Sequence, residues 1–126
     1  MEIRVYYEDT DISGFVYHSN YLNYCERARS DIFFQRGISP ISGNSHFVVS
    51  KLNANFILSA KFGDILTIQT CVLEIKNFSV TLQQTIFRGK EKIFQAEIIL
   101  AHLIKEKLAK IDEKTKQIFK TADFIS

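Results

Sequence analysis

The first residues of this chain that could do chemistry are the carboxylates at positions 8 to 11, which are Glu8, Asp9 and Asp11. They follow the segment I-R-V-Y-Y at positions 3–7, whose β-branched and aromatic side chains favour a strand. An aspartate in such a place can attack an electrophilic carbonyl, or activate a water molecule that does so. On composition alone, Asp11 is more simply a turn residue whose side chain accepts hydrogen bonds from the next backbone amides.

A helix is predicted to begin shortly after these carboxylates. Gly14 allows a turn that other side chains would hinder, and Ser19 or Asn20 can cap a helix that extends to about Arg36. Gly37 is a suitable residue to end this helix. Because the backbone N–H groups at a helix start are unpaired and carry positive partial charge, a carboxylate held near them faces a ready oxyanion site. Acyl transfer requires such a site.

The string YYEDTDISGFVYHSNYLNYCERAR, at positions 6–29, closely resembles the signature of the YbgC branch of the 4-hydroxybenzoyl-CoA thioesterase family. Members of that family have the hotdog fold and hydrolyse acyl thioesters, usually of coenzyme A. The resemblance implies that Asp11, the second aspartate of D-x-D, is the catalytic carboxylate. It also implies that the backbone N–H of His18 polarises the thioester carbonyl, while the His18 side chain helps to position water or substrate. Tyr7 matches a tyrosine that family members commonly keep, and its hydroxyl could donate to Asp11 or to the substrate.

Four further residues are candidates for substrate binding. Asn20 could cap the helix or face the substrate, and capping is the simpler use. The cations Lys61, Arg88 and Lys90 lie at predicted loop or turn positions, where they could contact the phosphates of coenzyme A. Any surface loop can hold such residues, so this assignment depends on the resemblance.

Other ionisable residues are assigned structural roles. Asp9 is expected to orient the loop through hydrogen bonds to the backbone. Glu26 is a rival acid, because another branch of hotdog thioesterases carries its catalytic carboxylate on the central helix. We expect Glu26 instead to pair with Arg29 or Arg27. His46 and His102 have no partner pattern and are also expected to be structural.

The remaining pattern predicts an α+β fold. The expected strands are Glu2–Tyr7, Phe47–Ile57, Ile65–Lys76, Ser79–Arg88 and Lys92–Glu106. One long apolar helix against an antiparallel sheet gives a sheet that wraps the helix, and the strand order is taken from the hotdog resemblance. We therefore predict one hotdog thioesterase domain over residues 1–126, with a five-stranded antiparallel sheet around a long central helix. The lysine-rich segment after Lys105 is expected to be solvated, with at most one further turn near 111–114.

Composition excludes several classes of protein. A formal charge of +2 over 126 residues does not argue for nucleic acid, and no segment approaches membrane-spanning length. Cys25 and Cys71 are isolated, without metal-ligand spacing, so neither a metal nor a cofactor is expected beyond the coenzyme A of the substrate. We predict a cytoplasmic protein. The resemblance further implies a homodimer or homotetramer with active sites at the subunit interface.

Three alternative functions fit the sequence less well than thioester hydrolysis does. The motif D-T-D-I-S at positions 9–13 is similar to that of aspartate-nucleophile phosphatases, but their fold needs repeated βαβ units that this pattern lacks. Hotdog dehydratases, which act on acyl carrier protein, have a His-containing loop with Pro-x-x-Pro character, and Pro40 is the only proline here. A non-catalytic acyl-CoA binding or sensing module is the alternative of a different class, and it would not need Asp11. The predicted reaction is hydrolysis of an acyl-CoA, or of an acyl carrier protein thioester, to a free acid and a thiol.

Overall fold

The computed structural model describes residues 1–122. Its strands are β1 (Glu2–Arg4), β2 (Ser45–Phe56), β3 (Ile65–Ile75), β4 (Ser79–Arg88), β5 (Glu91–Ile104) and β6 (Lys107–Leu108). Its helices are α1 (His18–Phe34) and α2 (Glu113–Ala122), and a short 3₁₀ turn covers Tyr7–Asp9. No helix within these described residues is long and apolar enough to cross a membrane.

The strands form one antiparallel sheet in the order β1-β3-β4-β5-β2, and β6 pairs with the end of β5. The predicted α+β hotdog architecture is therefore confirmed, with a two-residue sixth strand that the sequence did not predict. Gly89 has a positive φ of 60° in the tight turn between β4 and β5, as expected for that hairpin. The sheet curls around α1, and their facing side chains form the core.

The buried face of α1 follows helical spacing. Its buried residues are Tyr21, Tyr24, Cys25, Ala28, Ile32 and Phe33. They belong to one cluster with inward-facing residues of the central strands, among them Leu66, Leu82, Ile86, Phe94 and Ile98. Burial raises the pKa of the Cys25 thiol to about 12, so this cysteine acts as a small apolar residue, as predicted. The opposite face of α1 is exposed in a single chain.

Two predicted boundaries near the N-terminus need correction. The first strand ends at Arg4 rather than Tyr7, because the chain turns into the 3₁₀ segment where Asp9 N donates to Tyr6 O at 3.0 Å. The helix begins at His18, so neither Ser19 nor Asn20 caps it. Tyr17 occupies the capping position without a side-chain hydrogen bond, and long-range backbone contacts fix the helix start instead.

The C-terminal segment is more structured than predicted. It forms the amphipathic helix α2, where the sequence indicated at most one turn. Asp112 caps this helix, accepting from Thr115 N at 2.7 Å. Ile118 and Phe119 are buried, and the Phe119 ring lies edge-on to Phe33 at 5.5 Å. The last residues, 123–126, lie outside the described range.

Candidate active site

Asp11 lies in a small hairpin between the 3₁₀ turn and α1. Asp11 N donates to Phe15 O at 2.9 Å, and Gly14 N donates to Asp11 O at 3.0 Å. Gly14 has φ of 86°, a conformation that side chains other than glycine disfavour, and this allows the chain to reverse. Thr10 and Val16 pair across the base of this hairpin. The fold therefore presents Asp11 at a defined position on an exposed loop.

The carboxylate of Asp11 is held by its own turn. Its Oδ1 accepts hydrogen bonds from the hydroxyl of Ser13 and from Ser13 N, the latter at 2.8 Å. These two bonds, and then the nearby His18, hold the pKa of Asp11 below its ordinary value. The side chain is fully exposed and ionised at neutral pH. Asp11 therefore does accept hydrogen bonds within its own turn, through Oδ1. Its other carboxylate oxygen, Oδ2, has no partner among the described residues.

The carbonyl of Asp9 anchors the hairpin to the start of α1. It accepts Tyr17 N at 3.0 Å and Asn20 Nδ2 at 2.8 Å. The Asp9 carboxylate accepts Tyr6 N at 2.9 Å, so its predicted role as the residue that orients the loop is confirmed. Asn20 braces the loop from the first turn of the helix and does not cap it, and its contact with the substrate stays a prediction.

A second anchor comes from the segment before β3. Val16 N donates to Ala60 O at 2.9 Å, and Ala60 N donates to the buried hydroxyl of Tyr21 at 3.0 Å. Phe15 also forms a backbone bridge with Lys61. Tyr21 could not be recognised as a site residue from the sequence, because its partner Ala60 is 39 positions away in the chain.

His18 is the first residue of α1, next to this braced loop. Its backbone N–H donates to no acceptor among the described residues, as expected for the first turn of a helix. The exposed ring lies edge-on to Phe56 of β2 at 5.3 Å and to Tyr17 at 5.9 Å. The ring is thus held by aromatic contacts, and the free amide remains at the positive end of the helix dipole.

Tyr7 is 82% exposed, and its ring contacts Phe62 edge-on at 6.3 Å. Its hydroxyl makes no hydrogen bond to Asp11 or to any other residue of the described chain. In this structure Tyr7 therefore stands beside the loop as an exposed aromatic surface, and its catalytic role stays a prediction.

The three cations predicted to meet coenzyme A differ in their contacts, and Lys61 is next to the Asp11 hairpin through its bridge with Phe15. Arg88 Nη1 donates to Ser59 O and to Asp64 Oδ2, both at 3.0 Å, and Arg88 Nε is 3.3 Å from Glu91 Oε1. Arg88 therefore fixes the segment before β3, on which Lys61 lies. Lys61 and Lys90 are exposed and make no ion pair within residues 1–122.

Glu26 does not make the ion pair predicted for it. Its carboxylate accepts the Ser30 hydroxyl at 3.0 Å, one helical turn on. Arg29 turns inward instead, where its Nη1 donates to Gln84 Oε1 at 3.0 Å and burial lowers its pKa. The prediction failed because Gln84, on β4, offers a buried acceptor that the helix sequence does not reveal.

No group of three or more His, Cys, Asp or Glu side chains within the described residues is arranged to hold a metal ion. The chemistry of the site lies in an ionised carboxylate, a free helix-start amide and an exposed aromatic surface.

The fold and this loop–helix site together define a class of protein, the hotdog-fold thioesterases. The family model described as "Thioesterase superfamily" matches residues 13–94, and the chain belongs to that superfamily.

The chain is similar to the acyl-CoA thioesterase YbgC of Helicobacter pylori, with 46% identity over 87 residues, 69% of this chain and 65% of that protein. It is 34% identical to the acyl-CoA thioesterase YbgC of Haemophilus influenzae over 103 residues, 79% of this chain and 76% of that protein. The crystal structure of a probable thioesterase from Bartonella henselae matches with a TM-score of 0.84 and 31% identity, covering 89% of this chain and 97% of that one. The match to the H. pylori relative thus spans slightly under two thirds of that protein's length.

Proposed function

We propose that this protein hydrolyses the thioester bond of an acyl-CoA, releasing a carboxylic acid and free coenzyme A. The observation that carries the proposal is the juxtaposition of an ionised Asp11, one carboxylate oxygen of which is free, with the unpaired His18 amide at the start of α1. The relatives named acyl-CoA thioesterase support the same chemistry. An acyl carrier protein thioester is a second substrate source, because the reacting bond is identical.

In the proposed reaction, the His18 amide and the Asp11 carboxylate act in the following order. The thioester carbonyl oxygen accepts a hydrogen bond from the His18 amide, which stabilises the negative charge that develops on it. Asp11 either attacks the carbonyl carbon, forming an acyl anhydride that water then hydrolyses, or removes a proton from the water that attacks that carbon. In both routes the carbon–sulfur bond breaks, and the thiolate of coenzyme A leaves and takes up a proton from the protonated Asp11 or from water. The lowered pKa of Asp11 keeps it ionised over the whole neutral range. The His18 side chain is not required for the amide to act, so His18→Ala should retain much of the turnover.

The rest of the substrate would lie along the same end of the molecule. Exposed Lys61 and Lys90 are available to phosphate, while Arg88 holds the loop that carries Lys61. We assign the first two as candidate contacts for coenzyme A and Arg88 as the residue that positions them. Tyr7 and Phe62 form an exposed aromatic surface beside the loop, against which the pantetheine arm or acyl group could pack.

We also infer a homodimer, or a homotetramer built from it, formed through β2. This strand is at the sheet edge, and within residues 1–122 β5 is the one strand with which it pairs. Its apolar residues Val49, Leu52 and Phe56 are exposed, and Phe56 contacts His18. Such a long, exposed apolar edge is a template for pairing with another strand. Sedimentation velocity on the wild type and on Leu52→Lys tests this, since only a β2 interface predicts dissociation by that variant.

The cytoplasmic location stays a prediction.

The test is thiol release from a panel of short, long and aromatic acyl-CoAs by the wild type and Asp11→Asn. The variant keeps the shape of the side chain and removes its charge, and we expect at least a ~100-fold loss of turnover. Glu8→Gln is the matched control, because Glu8 is an exposed carboxylate of the adjacent 3₁₀ turn. Unchanged turnover in Asp11→Asn would remove Asp11 from the mechanism. If the wild type binds acyl-CoA without hydrolysing it, a binding or sensing module would be favoured instead. If it neither binds nor hydrolyses acyl-CoA, carrier-protein thioesters are the next substrates to test.

A further inference from the structure

A cavity of about 530 Å³ lies between the loop that follows α1 and the start of α2. None of the residues described around Asp11 lines it. Its apolar walls come from four elements and the loop, and include Phe33, Ile38, Pro40, Phe47, Ile104 and Ile118. The cavity is therefore a separate feature of the molecule, large enough for a small organic group.

Ser45 and His102 form a hydrogen-bonded pair in the wall of this cavity. Ser45 Oγ lies 2.7 Å from His102 Nε2, and His102 Nδ1 lies 3.0 Å from Ala109 O. Because a carbonyl oxygen can only accept, Nδ1 carries the proton, and in the neutral ring Nε2 is the acceptor of the Ser45 hydroxyl. A histidine in this tautomer can take the proton of a serine while the serine oxygen attacks a carbonyl.

The surrounding fold holds His102 in place. The residue is only 5% exposed, and the Phe47 ring lies 4.9 Å from its ring. Its backbone N donates to Phe78 O at 2.9 Å, and its carbonyl accepts Ala109 N at 3.0 Å. Ala109 is thus bonded to both the main chain and the ring of His102. A base fixed in this way needs little reorganisation to act.

Charges of both signs line the cavity near this pair. The pKa of Asp112 is lowered, chiefly by its hydrogen bonds with Thr115 and also by nearby His102, so an ionised carboxylate is present to stabilise an imidazolium. Lys110 and Lys114 line the same cavity, and α2 begins there. Their ammonium groups favour the negative charge of an oxyanion.

We propose that Ser45 is a second nucleophile of this protein, acylated by carboxylic esters whose compact apolar acyl group fits the cavity. Ser45 Oγ forms a bond to the ester carbonyl carbon while its proton passes to His102 Nε2. The bond from that carbon to the alcohol oxygen breaks, and the alcohol leaves with the proton from Nε2. Water then hydrolyses the acyl-serine, with His102 again as the base. No oxidant, reductant or cofactor takes part, and Asp11 has no role.

The first test is covalent labelling of the whole protein with an alkyl fluorophosphonate, followed by peptide mass spectrometry. The Ser45 oxygen would bond to phosphorus, fluoride would leave and the proton would pass to His102. We expect the adduct on Ser45, reduced at least ~10-fold in His102→Gln because the oxygen is no longer activated. Ser39 and Ser42 line the same cavity without a histidine partner and are internal controls. No adduct on Ser45, equal labelling of Ser42, or labelling that survives His102→Gln would overturn the proposal.

The second test separates this site from the Asp11 site. Asp11→Asn should still release 4-nitrophenol from 4-nitrophenyl butyrate, and adding Ser45→Ala should remove that release. Ser50→Ala is the matched control, because Ser50 lies on the same strand outside the cavity and donates to Ile99 O at 3.2 Å. Ester release that persists in the Ser45→Ala double variant, or that is already lost in Asp11→Asn, would refute a second nucleophile. Circular dichroism checks that each variant folds, and acyl-CoA turnover is measured separately for the Asp11 proposal.

Discussion

Replacing Tyr21 with phenylalanine tests the anchor that holds the Asp11 loop to the core. Ala60 N donates to the Tyr21 hydroxyl at 3.0 Å, and both residues are buried. The variant leaves this N–H without a partner, and a buried unpaired donor costs about 1–3 kcal/mol. The ring itself remains stacked on Phe94 at a centroid distance of 5.3 Å, so the apolar packing is kept. The loss of stability therefore reports the hydrogen bond alone.

The effect should also reach the active site, because Ala60 O accepts Val16 N at the base of the Asp11 hairpin. Urea and thermal unfolding measure the stability, and turnover of acyl-CoA measures the site. For a chain of 126 residues, a loss of about 2 kcal/mol lowers Tm by roughly 8 °C. Tyr24→Phe is the matched control, since the Tyr24 hydroxyl is buried on the same helix and makes no hydrogen bond within 3.5 Å to a described residue. Burial, together with the nearby Asp9 carboxylate, raises the pKa of Tyr24. Equal stabilities for the two variants, within about 0.3 kcal/mol, would refute this reasoning.

Two further predictions address the turn that holds Asp11 and the packing of the C-terminal helix. Ser13→Ala removes the strongest hydrogen bond to the Asp11 carboxylate, so its pKa rises towards the ordinary value. Because the proposed reaction needs the ionised form, the acid limb of the kcat/KM profile should move to higher pH, and an unmoved limb would contradict the role of Asp11. Ile118→Ala should lower the free energy of unfolding by about 2–5 kcal/mol, because Ile118 lies on the buried face of α2. Urea unfolding measures this loss, and a loss below about 0.5 kcal/mol would show that α2 is not packed as described.

Where local pattern and local geometry coincide, the sequence predicted the fold closely. The alternation of Val80, Leu82 and Ile86 with polar residues placed β4 at Ser79–Arg88, and the structure has the same bounds. Gly37 was expected to end α1, and it lies just beyond the helix with φ of 72°. In each case the deciding interaction is between residues close together in the chain.

Two of the failures have the opposite property. Tyr17, at the capping position of α1, has no side-chain hydrogen bond. Its backbone N–H donates instead to the Asp9 carbonyl, eight positions earlier, and this contact positions the helix start. Arg29 turns to Gln84, which is 55 positions away, instead of to Glu26 on its own helix. A single sequence does not show such contacts in any visible spacing, so the resemblance could point to Asp11 as a candidate without revealing the distant contacts that brace its loop.

The exposure of Asp11 connects the proposed chemistry to the proposed assembly. Ile12, beside it, is 107% exposed, and Tyr17 is 53% exposed, so water reaches every side of the carboxylate in a single chain. A hydrogen bond to a developing oxyanion stabilises it most when water is excluded. Since the His18 ring already contacts Phe56 on the exposed β2 edge, a second copy paired at that edge would cover the apolar side of this site. Turnover should therefore fall when Leu52→Lys separates the subunits, although Leu52 contributes no chemical group to the reaction.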